Sequence, residues 1–287
     1  MSTFLAAAVQ MRSGKDPQRN AAEFERLVRE AAGRGAAYVQ TPEMTGAVIS
    51  DKADRAVSFH PVETDPVVAA ARRLSKQLGI HLHVGSTAIV LPDGKIANRA
   101  FLFGPDGELV TTYDKVHMFD VDLDNGESWR ESATYTAGER AAVVRLPFAA
   151  VGLAICYDLR FPQLFRAEAL AGAEMLTVPA AFTRQTGEAH WHVLLRARAI
   201  ENGAWVIAAA QGGRHEDGRE TYGHSLIVDP WGCVVAEAAG NEPGVIVAEI
   251  DTAQSAAARA KIPNLSNARE FRVDVVGAQA GLWGAAS

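Results

Sequence analysis

The stretch VGLAICYDLRFP, from Val151 to Pro162, sets a run of apolar or small residues, Val151 to Ile155, directly before three chemically active side chains, Cys156, Tyr157 and Asp158. A short apolar run of that length fits a buried strand. Cys156 is therefore expected at a strand's carboxyl end. Pro162 suits the first turn of a helix, whose amino-terminal amides would point back toward the sulfur. A thiol at such a junction is favoured to ionise, which suits a nucleophile. The plainer alternative is a small buried core cysteine, the commoner fate of a free thiol.

Outward from that stretch, the 287 residues are 48% hydrophobic and 22% charged, without a low-complexity linker, which predicts one globular domain rather than two. A net charge of -6 and a pI near 5.8 argue against a nucleic-acid or anionic-membrane surface, either of which would need clustered Lys and Arg. Met1-Ser2-Thr3 leads straight into a strand-like run, with no signal peptide or membrane span recognisable, so a cytoplasmic address is expected. Cys156 and Cys233 are too few for a disulfide framework and would both be thiols in a reducing compartment.

Strands are predicted at Phe4 to Gln10, Ala37 to Gln40, His81 to Val90, Asn98 to Phe103 and Glu108 to Tyr113. Helices follow the Asp16-Pro17 and Asp65-Pro66 pairs, with Phe24, Leu27 and Val28 on one apolar face and Val67, Ala71, Leu74 and Leu78 on the other. From Val116 to Gly138 periodicity disappears and acidic residues gather, which marks a functional loop. Beyond it, Val143 to Leu146 and Val151 to Ile155 read as a hairpin pair, then a helix over Pro162 to Gly172 and a strand over Glu174 to Pro179. A helix over Gly187 to Gly203 and strands at Trp205 to Ala210, Ser225 to Asp229, Val234 to Glu237 and Val245 to Ile250 complete the core. Little pattern remains after Lys261. Alternating strands and helices imply an α/β fold with helices packed outside mixed sheets.

Three strand ends thereby present Glu43, Lys115 and Cys156: a base, a cation and a nucleophile, the roles needed to hydrolyse an amide by covalent catalysis. The segments TPEM around Glu43, YDKVHMFD around Lys115 and GLAICYDLRFP around Cys156 resemble the nitrilase, or carbon–nitrogen hydrolase, superfamily. GEAHWHVLLRARAIEN and YGHSLIVDPWG extend the likeness from Ala7 to about Asp251. The resemblance implies a four-layer αββα sandwich in which two stacked sheets are covered outside by helices, and a homodimer or higher oligomer. Residues 261–287 form a C-terminal extension expected to serve packing or dimerisation.

The resemblance also implies a mechanism. A free thiol, with a pKa of about 8.5, is only roughly 3% thiolate at neutral pH, so Glu43 as general base and Lys115 as a nearby cation would raise its reactivity. Lys115 and the backbone N–H of Tyr157 would bind the oxyanion. Glu131 falls where relatives place a second glutamate; Glu127 is its rival. No metal or organic cofactor is expected: His81 and His83, or His190 and His192, have no companion ligands at suitable spacing, and the second pair diverges on a helix. Arg160 is expected to pair with a carboxylate. The segments AFTRQTGEAHW and AAAQGGRHEDGRETYGHS resemble the branch holding deaminated-glutathione amidases and omega-amidases. That likeness implies a small carboxylate-bearing amide as substrate, with Arg184 and Thr186 as anion contacts. N-carbamoyl amino acids and nitriles are alternative substrates for the same nucleophile, and a non-catalytic scaffold or binding protein is the alternative of another class.

Overall fold

The computed structural model describes residues 2–123, 126 and 128–275. The chain opens with β1 (Thr3–Gln10), α1 (Pro17–Gly33), β2 (Tyr38–Gln40), α2 (Lys52–Ser58), α3 (Pro66–Leu78), β3 (His81–Val90), β4 (Ile96–Phe103) and β5 (Leu109–Asp114). Short strands β6 (Asp120–Asp122), β7 (Ser128–Arg130) and β8 (Tyr135–Thr136) lie in the segment expected to be a loop. Then come β9 (Ala142–Arg145), β10 (Ala150–Leu153), α4 (Pro162–Leu170), β11 (Met175–Thr177), α5 (Arg184–Asn202) and β12 (Trp205–Ala208). The hairpin of β13 (Gly212–Arg214) and β14 (Glu220–Tyr222), followed by β15 (Leu226–Val228), β16 (Val234–Glu237), β17 (Gly244–Asp251) and α6 (Thr252–Lys261), completes the order.

Local chemistry sets the helix starts. Asp16 accepts hydrogen bonds from the Gln18 and Arg19 amides, Asp65 accepts one from Val68, and a proline occupies the first turn in both α1 and α3. Gly79, at φ 65°, ends α3 in the left-handed conformation that a glycine adopts without a Cβ clash.

One sheet has the order β17-β1-β2-β3-β4-β5, with β8 beside β4; the other has β16-β15-β12-β11-β10-β9. Within them β1, β2 and β3 run parallel, as do β10, β11 and β12, and β8 runs parallel to β4, while the other pairings are antiparallel. Side chains alternate across β1. Ala7 and Val9 join Phe24, Leu27, Val28, Val67 and Leu74 in a core under α1 and α3, whereas Phe4, Ala6 and Ala8 enter a second core with Val151, Leu153 and Met175 of the other sheet. Phe165, Trp191 and Leu195 from α4 and α5 also belong to that second core. The molecule is thus a four-layer αββα sandwich, with the small Ala6 and Ala8 side chains facing the second sheet.

Besides the short strands β6–β8, four elements were not anticipated. Helix α2 has no buried residue and hence no apolar stripe; β13 and β14 form a two-stranded sheet of their own; and α6 is built mostly from alanine and polar residues. The strand before Cys156 also ends earlier than expected, at Leu153, and Cys156 heads a 3₁₀ turn over Cys156–Arg160. Among the described residues no helix is long and apolar enough to cross a membrane.

Phe24 is fully buried between α1 and the first sheet. Phe24→Ala should therefore lower stability by about 3–5 kcal/mol, read as a reduced urea midpoint with an unchanged slope.

Candidate active site

Glu43 follows the end of β2, Lys115 follows β5, Cys156 follows β10 and Ala181 follows β11. Because β2 and β3 run parallel, and β10 and β11 likewise, the carboxyl ends of both sets open where the two sheets meet, the usual place for a site in such sheets. Gly85 of β3 makes this meeting possible: a Cβ there would lie 2.0 Å from the Thr41 carbonyl oxygen and 2.4 Å from Pro179 Cβ. Pro179 in turn accepts the Cys156 N–H at 2.9 Å. Met44 and Cys156 both adopt left-handed backbone, at φ 54° and 51°, a strained state for non-glycine residues that clusters at functional sites. Met44 is held by a hydrogen bond from its amide to Ser86 Oγ at 3.0 Å.

Lys115 Nζ, which is 2% exposed, donates to Glu43 Oε1 at 2.8 Å and to both oxygens of Glu131, at 2.9 and 2.8 Å. Asn98 Nδ2 donates to the same two carboxylates, at 2.9 Å to Glu43 and 3.2 Å to Glu131. The Ala181 amide donates to Glu43 Oε2 at 2.9 Å, and the Phe119 amide to Glu131 Oε2 at 2.7 Å. The Cys156 thiol lies close enough to Glu43 for each group to shift the other's protonation. The structure thus brings Glu43, Lys115, Glu131 and Cys156 together. Glu127 lies outside the described residues.

Electrostatics correct one expectation. Burial, and then the Glu43 charge, push the Cys156 thiol well above its ordinary pKa, outweighing Lys115. A resting thiolate stabilised by a helix is therefore not what this geometry provides. The sulfur is buried, its neighbour is an anion, and α4 begins only at Pro162, beyond the 3₁₀ turn. Burial and the neighbouring anion both favour the neutral thiol. Burial pushes the Glu43 carboxyl up, yet Lys115 and hydrogen bonds from Cys156, Lys115 and Asn98 outweigh it and hold it below the usual range. Burial pulls the Lys115 ammonium down, but Glu131 and Glu43 reverse this and keep it charged.

A cavity of about 460 Å³ opens over these groups, bounded by Phe119, Trp129, Tyr135, Arg55 and Arg219. Arg184 and Thr186 do not line it. Helix α5 begins at Arg184, earlier than the expected Gly187, so this arginine sits on an exposed first turn and pairs with Glu188 at 2.9 Å. Thr186 is buried and hydrogen-bonded to Thr183 at 2.8 Å. Arg219 does line the cavity: its guanidinium stacks over Trp129 at 4.5 Å, pairs with Asp217 at 3.6 Å and donates to Ser50 Oγ at 3.3 Å, while its buried Nε has no hydrogen-bond partner among the described residues. The Tyr157 ring packs edge-on against Phe119 and Phe161. Arg160 meets no carboxylate among the described residues; it lies over the Tyr157 and Phe182 rings and donates to His190 Nδ1 at 3.3 Å. Asn98 was missed, although a buried amide inside an otherwise apolar strand was a usable signal. Arg219 gave none, since only the β13–β14 hairpin carries it to the cavity.

A model of the carbon–nitrogen hydrolase family matches residues 5–260. The chain belongs to the carbon–nitrogen hydrolase family. This hydrolase is 39% identical over 274 residues to a deaminated glutathione amidase of Synechocystis, covering 93% of this chain and 98% of that one. It is 42% identical over 252 residues to the mouse protein of the same name, covering 86% and 77%. Its fold superposes on the crystal structure of the C. elegans NitFhit protein with a TM-score of 0.87 at 33% identity, over 94% of this chain and 66% of that longer one. The protein is a hydrolase of carbon–nitrogen bonds other than peptide bonds.

With the thiol raised by burial and by Glu43, iodoacetamide alkylation of Cys156 in this hydrolase should keep accelerating beyond pH of about 8.5, where an ordinary thiol levels off. Intact-mass kinetics in a Cys233→Ser background measure this; a plateau below that pH would reveal a preformed thiolate.

Proposed function

We propose that the chain is a cysteine-dependent amidase that hydrolyses the terminal amide of a small carboxylate-bearing substrate, a 2-oxo acid amide such as deaminated glutathione or an omega-amide. The observation that carries this is one cavity lined together by Cys156, Glu43, Lys115 and Glu131, with the Lys115 ammonium hydrogen-bonded to Glu43 and arginines in the same wall. The names of the relatives support the substrate class.

Glu43 takes the Cys156 proton as sulfur attacks the amide carbon, so no thiolate has to persist beside the carboxylate. The ammonium of Lys115 and the Tyr157 N–H meet the oxyanion; the Cys156 N–H is already engaged by Pro179. Glu43 then passes its proton to the amine nitrogen, ammonia leaves, and a thioester remains. Water enters, gives its proton to Glu43 and attacks the acyl carbon; collapse releases the carboxylic acid, and the sulfur recovers the proton. Glu131 orients Lys115. Arg219, in the lining of the same cavity, receives the substrate carboxylate, which would partner an Nε left without one among the described residues.

The same proposal includes a homodimer and a cytoplasmic address. Exposed Val193 and Ile200 stand on one stripe of α5, with Ile200 against Gly232, the residue after exposed Trp231, and exposed Phe271, Val273 and Val275 give the C-terminal extension, 261–287, apolar residues to pack on a second copy. A reducing compartment keeps the nucleophilic thiol free.

Glu43→Gln separates proton transfer from positioning. Gln still accepts a hydrogen bond from Lys115 but moves no proton, so turnover should fall about 100- to 10,000-fold, with acylation stalled or an acyl-Cys156 adduct visible by intact mass. Near-normal ammonia release would refute the base assignment. Arg219→Leu should raise KM for carboxylate-bearing amides about 10- to 150-fold, the worth of a charge-assisted hydrogen bond at roughly 1.5–3 kcal/mol. A small neutral amide should be unaffected. Equal losses on both substrates would show that Arg219 only shapes the cavity.

A further inference from the structure

The fold also assembles a cluster away from Cys156. His192 comes from α5, His224 from the segment between β14 and β15, and Glu237 from the end of the edge strand β16. His192 Nε2 lies 2.9 Å from Glu237 Oε1, and His224 Nδ1 lies 2.8 Å from the same oxygen. One ligand atom from each residue falls within 4.8 Å of the other two. All three side chains are partly open to solvent, at 33%, 27% and 35% exposure.

Their surroundings hold them in place. The Trp191 indole N–H, next to His192 in sequence, donates to the His224 carbonyl at 2.8 Å. The His224 amide donates to the Gly240 carbonyl at 3.0 Å. Between these anchors His224 adopts a left-handed φ of 54°, a strained state for a residue with a Cβ. Its ring stacks on Tyr222 with centroids 4.4 Å apart. Register pairs Glu237 with Leu226, fixing the carboxylate beside the histidines. Arg196, one turn along α5 from His192, is turned to the Gly232 carbonyl at 2.8 Å rather than to Glu237. Burial pushes the Glu237 carboxyl up, but the two imidazole contacts outweigh it and keep it an anion.

We propose that His192, His224 and Glu237 form a binding site for a divalent transition metal of the zinc class. Two imidazoles converging on a single carboxylate oxygen are a donor set that suits zinc, copper or nickel and not magnesium or calcium. Tetrahedral zinc, with bonds of about 2.0–2.1 Å, sets its ligand atoms about 3.3 Å apart. The ring-to-oxygen distances here need to open by about half an ångström, and the two imidazole nitrogens, within 4.8 Å of each other, to draw together toward that spacing. Three protein ligands leave the fourth position to water. The metal would tie α5 to the β15–β16 edge. The helical pair His190 and His192 does not make this site; a long-range trio does.

The experiment uses the full chain as the Cys156→Ala/Cys233→Ser variant, so that neither thiol binds the probe. Titration with Zn²⁺ against a chromogenic chelator should give one equivalent bound, and X-ray absorption should show imidazole and oxygen ligation. Glu237→Gln, which keeps a hydrogen-bonding oxygen but loses the charge, and His192→Ala should each weaken binding by roughly 10-fold or more, with far-UV circular dichroism unchanged. No binding at millimolar Zn²⁺, binding unaffected by both substitutions, or Mg²⁺ bound as tightly as Zn²⁺ would each overturn the proposal.

Discussion

A lysine ammonium buried between two carboxylates is the constraint around which this molecule is arranged. Moving such charges out of water costs several kcal/mol per ion, and removing one partner from a buried pair leaves the other at a cost of about 3–5 kcal/mol. The charges of Lys115, Glu43 and Glu131 survive burial because their partners are complete: Asn98 spans both glutamates, and the Ala181 and Phe119 amides close the remaining oxygens. Those donors come from a central strand, a strand end of the other sheet and a loop. Each must arrive within hydrogen-bond distance at once, so the cluster fixes their relative positions.

The second sheet is held to that cluster through the segment that carries the sulfur. Asp158, fully buried, accepts from the Ile155 amide at 2.9 Å, from Tyr113 of β5 at 2.8 Å and from the His117 amide at 3.0 Å. One carboxylate therefore ties the Cys156 turn to the strand whose end supplies Lys115. On the other side, Gln211 donates to the Glu43 carbonyl at 3.0 Å and to Ser13 Oγ at 2.8 Å, joining the segment after β12 to those after β1 and β2. The strained backbone at Met44 and Cys156 is held by these connections. Rigidity here has a chemical consequence, since a thiol beside a carboxylate must share its proton without either group drifting into water.

Much of the fold was legible because its signals are local. Asp-Pro pairs begin α1 and α3, apolar stripes mark their buried faces, and the alternation along β1 feeds two cores at once. What escaped was structure without a local apolar code. The exposed α2 and the hairpin β13–β14 are held by contacts made elsewhere in the chain, and the latter brings Arg219 to the cavity. Arg184 was misplaced for the same reason. Nothing in TRQTGE tells which side of a helix start will face a cavity, and the answer is solvent, where Glu188 and Glu220 meet it.

By itself the sequence determined most of the core strands and helices, through periodicity and caps, and, through the motifs that resemble the family, the αββα class and the segment ends that carry Glu43, Lys115 and Cys156, since all of these are properties of short segments. Only the tertiary structure decided the direction in which burial shifts the thiol, the partners of the buried charges, the arginines lining the cavity and the joining of His192 with His224 and Glu237. Each of these depends on burial or on a distance between residues far apart in the chain. Such distances are set when the two sheets close on each other, and no window of sequence contains them.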